Sequence, residues 1–219
     1  NSMTAATNER RACLTLGCVS MGRFARGRGG NCASSILRGM PTPVGHALAG
    51  VAAGYLLAGR VDRTTLSTRG TALSWRSMAS DKRLLLFASL GVLADIEFLF
   101  GIHSAYTHSI GATLVVGGVA ALLGRDHRRR FAFAAALAYG THIVLDWLGS
   151  DNVEPLGVMA LWPVTTDYFL SGLYWFPSVC RQFRDLSCWS HNVASLVWEI
   201  AFLGPLAFGA LYLNRRSRT

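Results

Sequence analysis

Seven ionisable side chains lie within or beside apolar runs, where a chain keeps them only for a use: His46, Asp95, Glu97, His103, His108, His142 and Asp146. A charged group at mid-membrane costs about 2.5–3.5 kcal/mol on insertion scales, so such groups need partners and mark function. Imidazoles with carboxylates form a borderline-to-hard donor set. It suits one or two divalent ions, zinc first and manganese or iron next, and does not suit copper(I). His142 and Asp146 are four apart, so a helix places them on one face, one turn apart. Asp95 and Glu97 are two apart and face opposite sides of a regular helix. Either the helix unwinds there, or Asp95 alone binds while Glu97 serves as general base or as a support behind the ligands. Thr107 and Ser109 flank His108 and offer hydrogen bonds to it.

The elements that must position these groups are apolar. Of 219 residues, 51% are hydrophobic and 15% charged, well below the roughly 25% charge of soluble domains. Disorder is excluded by the same numbers. Five apolar stretches stand out, at Val44–Ala58, Leu84–Phe100, Ile110–Gly124, Phe131–Leu148 and Val193–Leu213. A bilayer core takes about 20 apolar residues per helix. The last stretch meets this, the second and fourth fit at the lower edge, and the first and third borrow flanking residues. Glycine and alanine run through them, as close-packed membrane helices allow. The expected fold is all-α, a polytopic membrane bundle of about five transmembrane helices.

Charge orients the bundle. Nearly all the basic residues are arginine, and they fall in blocks between the apolar runs. The connection 59–83 has a net charge of +4, 125–130 of +3 and the tail after Leu213 of +3, whereas 149–192 has −2. Five alternating spans put the three basic segments on one face, which the positive-inside rule makes cytoplasmic. The net charge of +9 is thereby explained without nucleic acid. The start of the first span, the ends of the second and fourth, and the turn 100–109 then share the non-cytoplasmic side. The seven candidate residues converge there.

Residues 40–213 form the expected membrane-embedded domain and 214–219 a basic cytoplasmic tail. Residues 1–39 are a basic N-terminal extension, expected to be disordered or not native. Three readings of it stay open: a true start at Met40, a cytoplasmic tail, or a targeting peptide. His127 falls in an arginine block and is expected to be solvated, while His191 begins the last span on the site's side. Trp162, Tyr168, Tyr174, Trp175 and Phe176 suggest an interfacial aromatic belt. No CxxC pair is present, but Cys180 and Cys188 share the outer loop and can pair if exported.

With these residues in view, the chain resembles the LexA-regulated, inner-membrane YdjM-type family of bacterial metal-dependent hydrolases. The likeness covers about Met40 to Phe176. It rests on Met40-Pro-Thr-Pro-Val-Gly-His46, Leu93-Ala-Asp-Ile-Glu97, His103, Thr107-His108-Ser109, Thr141-His142-Ile-Val-Leu-Asp146-Trp147, and Gly157 through Trp162-Pro163. Where the family typically shows Pro-Asp-x-Asp, this chain has Ala94-Asp95-Ile96-Glu97. Where it commonly has His-Arg, this chain has His103-Ser104.

The leading expectation is a hydrolase of the inner membrane. Its metal would be held by His46, Asp95, His103, His108, His142 and Asp146, with Glu97 and Asp95 as catalytic carboxylates. A site at the outer headgroup level makes a lipid or lipid-linked ester or phosphoester the natural substrate. The alternative is a metal-binding protein without catalysis, or a metal transporter. A transport path would continue polar groups inward, and only Glu199 stands apart from the outer cluster.

Overall fold

The computed structural model describes residues 40–58, 82–100, 104–124, 128–151, 154–180 and 184–216. The N-terminal extension 1–39, His103, His127 and nearly all of the basic connection 59–83 lie outside the described residues. The helices are α1 (Pro43–Ala58), α2 (Lys82–Val92), α3 (Ile110–Leu123), α4 (Arg128–Leu148) and α5 (Leu186–Arg216). A 3₁₀ helix, Leu93–Phe100, continues α2. Among the described residues, extended pairing is limited to two isolated bridges, Gly149 with Phe176 and Val158 with Phe169.

The fold is all-α, and each apolar run became helix. Length qualifies the expected five spans. Among the described residues, only α4 and the part of α5 from Leu186 to Asn214 are long and apolar enough to cross a membrane, whereas α1 and α3 are shorter apolar helices. The second run divides, its regular α-helix stopping at Val92 and the tighter 3₁₀ helix taking the rest.

Helix α1 is the hub, packed against α2, α4 and α5, while α4 also meets α2 and α3. Missing side chains make this closeness possible. A Cβ on Gly50 would stand 2.5 Å from the Phe87 carbonyl oxygen, and one on Gly91 would run into the His46 carbonyl. Phe87 fills the seam, fully buried against Val51, Tyr55, Ala134 and Ala207. The outward surfaces carry Leu114, Leu122, Phe133 and Leu206, all exposed. Water solvates such faces poorly, whereas lipid tails match them.

The segment after α4 folds back over the end of the bundle where α1 begins. Val179 N–H donates to the Met40 carbonyl, Met159 N–H to Ser104 and Ser150 N–H to Phe176. Phe176 is buried against Ala49, Leu145 and Leu203. Trp162 lies on Gly111, where a Cβ would be 2.7 Å from its ring, and meets Tyr106 edge-on. Of the five aromatics expected in an interfacial belt, Phe176 therefore packs into the protein and Trp162 is half-buried against α3. Tyr174 and Trp175 are exposed. Cys180 and Cys188 form a disulfide.

Candidate metal centre

Four elements deliver the site. The first turn of α1 carries His46, the 3₁₀ helix Asp95 and Glu97, the following turn His108, and the last turns of α4 His142 and Asp146. His46, Glu97, His108, His142 and Asp146 are buried, while the Asp95 side chain is 23% exposed. Six of the seven expected residues thus come together, and His103 lies outside the described residues.

At the centre, His108 Nε2 and His142 Nε2 are 3.1 Å apart. Asp146 Oδ2 lies 3.1 Å from His142 Nε2 and 3.3 Å from His108 Nε2. Asp95 Oδ1 is 3.4 Å from His142 Nε2 and 3.9 Å from His108 Nε2. His46 stacks on His142 with ring centroids 3.8 Å apart, and its Nε2 is 3.2 Å from Asp146 Oδ1.

The outer nitrogens of two of these rings fix their tautomers. His142 Nδ1 is 2.7 Å from the Gly91 carbonyl, which can only accept. His108 Nδ1 is 2.7 Å from Glu97 Oε1. Each Nδ1 therefore holds a proton, and in the neutral form of each ring an Nε2 lone pair turns inward. Two such lone pairs and a carboxylate facing one another repel unless a proton or a cation lies among them. Neither Asp146 oxygen makes a well-formed hydrogen bond, nor does either His46 nitrogen. The Asp146 and His46 contacts are close but are not aimed as hydrogen bonds, whereas His108 Nε2 and His142 Nε2 are placed so that they can share a proton.

This arrangement fits a divalent cation. Ligands about 2.0–2.1 Å from a tetrahedral ion stand about 3.3 Å from each other, which matches the 3.1–3.4 Å separations here. Among the described residues two donor groups could hold an ion, His108 with His142 and Asp146, and His46 with Asp95 and His142; within each, the ligand atoms lie within 4.8 Å. Both use His142.

Glu97 stands behind the ligands. One of its oxygens accepts from Ala105 N–H at 2.6 Å and meets His108, while the other accepts from Thr107 N–H at 3.2 Å. The 3₁₀ helix resolves the spacing puzzle by turning Asp95 to the cluster and Glu97 to the turn. Thr107 is tied to the Ala94 carbonyl, and its own carbonyl accepts from the Tyr139 hydroxyl. Ser109 caps α3. His191 is away from the cluster, bonded to the Ser178 carbonyl.

The sequence reading missed Thr42, Gly91 and Tyr139, which act through backbone contacts that spacing does not disclose. It also set Glu199 apart, yet this side chain is buried against Thr42 just before His46. The glycines beside histidine contacts, Gly45 and Gly91, were the available signal.

A protein-family model described as YdjM inner membrane protein matches residues 40–216. The chain belongs to the YdjM inner membrane protein family. No curated protein and no solved structure matches it. In this YdjM-family protein the matched region holds every residue of the His/Asp cluster.

Proposed function

We propose that this YdjM-family protein is a membrane-embedded, metal-dependent hydrolase acting on a lipid or lipid-linked ester or phosphoester. The single observation supporting it most is the pair of inward-facing imidazole nitrogens, 3.1 Å apart beside the Asp146 carboxylate. His108, His142 and Asp146 would hold the cation, with Asp95 and His46 in reach. Zinc suits this set best, and manganese or iron are alternatives. When bound, such an ion supplies Lewis acidity, polarising a scissile carbonyl or phosphoryl group and acidifying water.

The chain's own groups divide the remaining work. Asp95 is the cluster carboxylate that solvent reaches, so substrate meets the site on its side. Its Oδ1 faces His142, leaving Oδ2 to accept the proton of an attacking water. Glu97 has both oxygens engaged, so its part is to hold His108 and not to act as base. The folded-back loop keeps bulk water off the buried donors.

In this reading the bundle crosses the inner membrane about five times, with its basic segments cytoplasmic and the cluster facing outward. The Cys180–Cys188 disulfide supports that orientation, since such bonds persist in oxidising compartments. A lipid substrate follows from a site at that depth.

The test begins with metal content of the detergent-purified protein, wild type beside His142→Ala/Asp146→Ala. Near-stoichiometric metal in the wild type and none in the variant is the expected result, followed by hydrolysis in a screen of lipid esters and phosphoesters. Absence of metal in both, after reloading with zinc and manganese, would remove the reading. Hydrolysis unchanged in the variant would do the same.

A further inference from the structure

Helix α5 gives no donor to the cluster, yet its one buried carboxylate reaches the chain four residues before His46. Glu199 is fully buried. Its Oε1 accepts from the Thr42 N–H at 2.8 Å, and its Oε2 accepts from the Thr42 hydroxyl. The Thr42 hydroxyl oxygen in turn accepts from the Gly45 N–H at 3.2 Å, and the Thr42 carbonyl accepts from His46 N–H at 3.2 Å. The first turn of α1, whose free N–H groups need acceptors, is thus capped jointly by its own threonine and by a carboxylate from another helix. The helix dipole favours a negative group there.

Gly45 belongs to the same device. A Cβ at this position would stand 2.5 Å from Glu199 Oε2 and 2.9 Å from its carboxyl carbon. Only glycine lets the carboxylate lie against the turn that carries the next residue, His46.

We infer that Glu199 is a positioning residue for His46, setting the first turn of α1 so that the imidazole stacks on His142 and faces Asp146. It touches no bound ion and no substrate. It acts through Thr42 and the α1 backbone, which ties the placement of α5 to the geometry of the metal centre. This inference rests on the proposed metal site.

The experiment is a Co²⁺ titration of the detergent-purified full chain, read by visible absorption and by competition with a chelating dye. Wild type is compared with Glu199→Ala, Glu199→Gln, Gly45→Ala and the double variant Gly45→Ala/Glu199→Ala. Supporting groups behind metal ligands typically change affinity about 10–100-fold, and that loss is expected for Glu199→Ala and Gly45→Ala. The double variant should lose no more than either single change, because both act through one contact. Glu199→Gln keeps the shape with one accepting oxygen for two Thr42 donors, and should fall between. The Co²⁺ band of each binding-competent variant should shift, which a loss of stability alone does not cause.

Affinities within about twofold of wild type with an unshifted band, or losses that multiply in the double variant, would overturn the inference. Should Glu199→Ala fail to fold, Gly45→Ala and Glu199→Gln carry the same test. A wild type that binds no Co²⁺ sinks the metal site itself. A wild type that binds while the variants match it sinks only the role of Glu199.

Discussion

His108 and His142 point their Nε2 atoms at one another across 3.1 Å, with their Nδ1 atoms committed to Glu97 and to the Gly91 carbonyl. Were both rings neutral in this tautomer, their Nε2 lone pairs would gain nothing from the approach. The folded backbone enforces it, through a 3₁₀ turn on one side and a glycine-packed helix pair on the other. Donors pre-organised in this way suit a cation that would complete them.

The first consequence is that metal and stability are linked. A ligand that binds only the folded state adds about 2.7 kcal/mol when present at 100 times its Kd. Stripping the purified protein with a chelator should lower its Tm by several degrees, about 2–4 °C per kcal/mol at this size, and zinc should restore it. In His142→Ala/Asp146→Ala the chelator should change nothing. A wild-type melting curve indifferent to both treatments contradicts the link.

Glu97→Gln tests the support behind His108. An amide offers one accepting oxygen where the carboxylate serves His108 together with the Ala105 and Thr107 N–H groups. The turn loosens and the His108 tautomer is no longer enforced. Metal affinity is expected to fall about 10–100-fold, measured by competition with a chelating dye. The helices of the bundle should remain, as read by circular dichroism. Unchanged affinity would return Glu97 to the role of general base.

The donor positions were legible in the sequence because chemistry and periodicity agreed there. Spacing of four put His142 and Asp146 on one face, and alternation of the apolar runs brought His46, Asp95 and His108 to the same end. The helices followed from long apolar runs bounded by arginine and glycine, which leave a chain few other ways to satisfy its backbone. Whether five helices cross could not follow from hydropathy, since α1 and α3 are short and the second run breaks at Val92. The part of Glu97 was left open, and Glu199 was misjudged, for a common reason. Each works through backbone groups distant in the chain (Ala105 and Thr107 for one, Thr42 for the other), and a sequence carries no direct mark of where a carbonyl or N–H ends up. The inward packing of Trp162 and Phe176 was hidden likewise, because an aromatic in a loop looks the same whether it meets lipid or seals a core.

Gly91→Ala should damage fold and site together. The added methyl group meets the His46 carbonyl, and Gly91 supplies the carbonyl that holds His142. Overpacking of this kind costs about 1–3 kcal/mol. The expected result is a Tm lower by several degrees and weaker metal binding. Gly118→Ala is the control, since a Cβ there meets nothing within 4 Å, and it should behave as wild type. Equal behaviour of the two variants would show that the α1–α2 contact does not set the site.

The final prediction concerns which side of the membrane the cluster faces. The Cys180–Cys188 disulfide ties the segment that folds over the cluster end of the bundle to the first turn of α5, so the redox chemistry of that side decides whether it survives. In a chain with Cys13, Cys18 and Cys32 changed to serine, right-side-out vesicles should show almost no reaction with a membrane-impermeant maleimide. Adding an impermeant reductant should make both cysteines react from outside. A Ser217→Cys change made in the same chain with Cys180 and Cys188 also replaced by serine should react only after the vesicles are opened. Together these results place the disulfide outside and the arginine-rich tail inside, as the charge distribution demands. Labelling of Cys180 and Cys188 only after opening would invert the bundle, and the proposed lipid substrate would then have to be sought in the cytoplasmic leaflet.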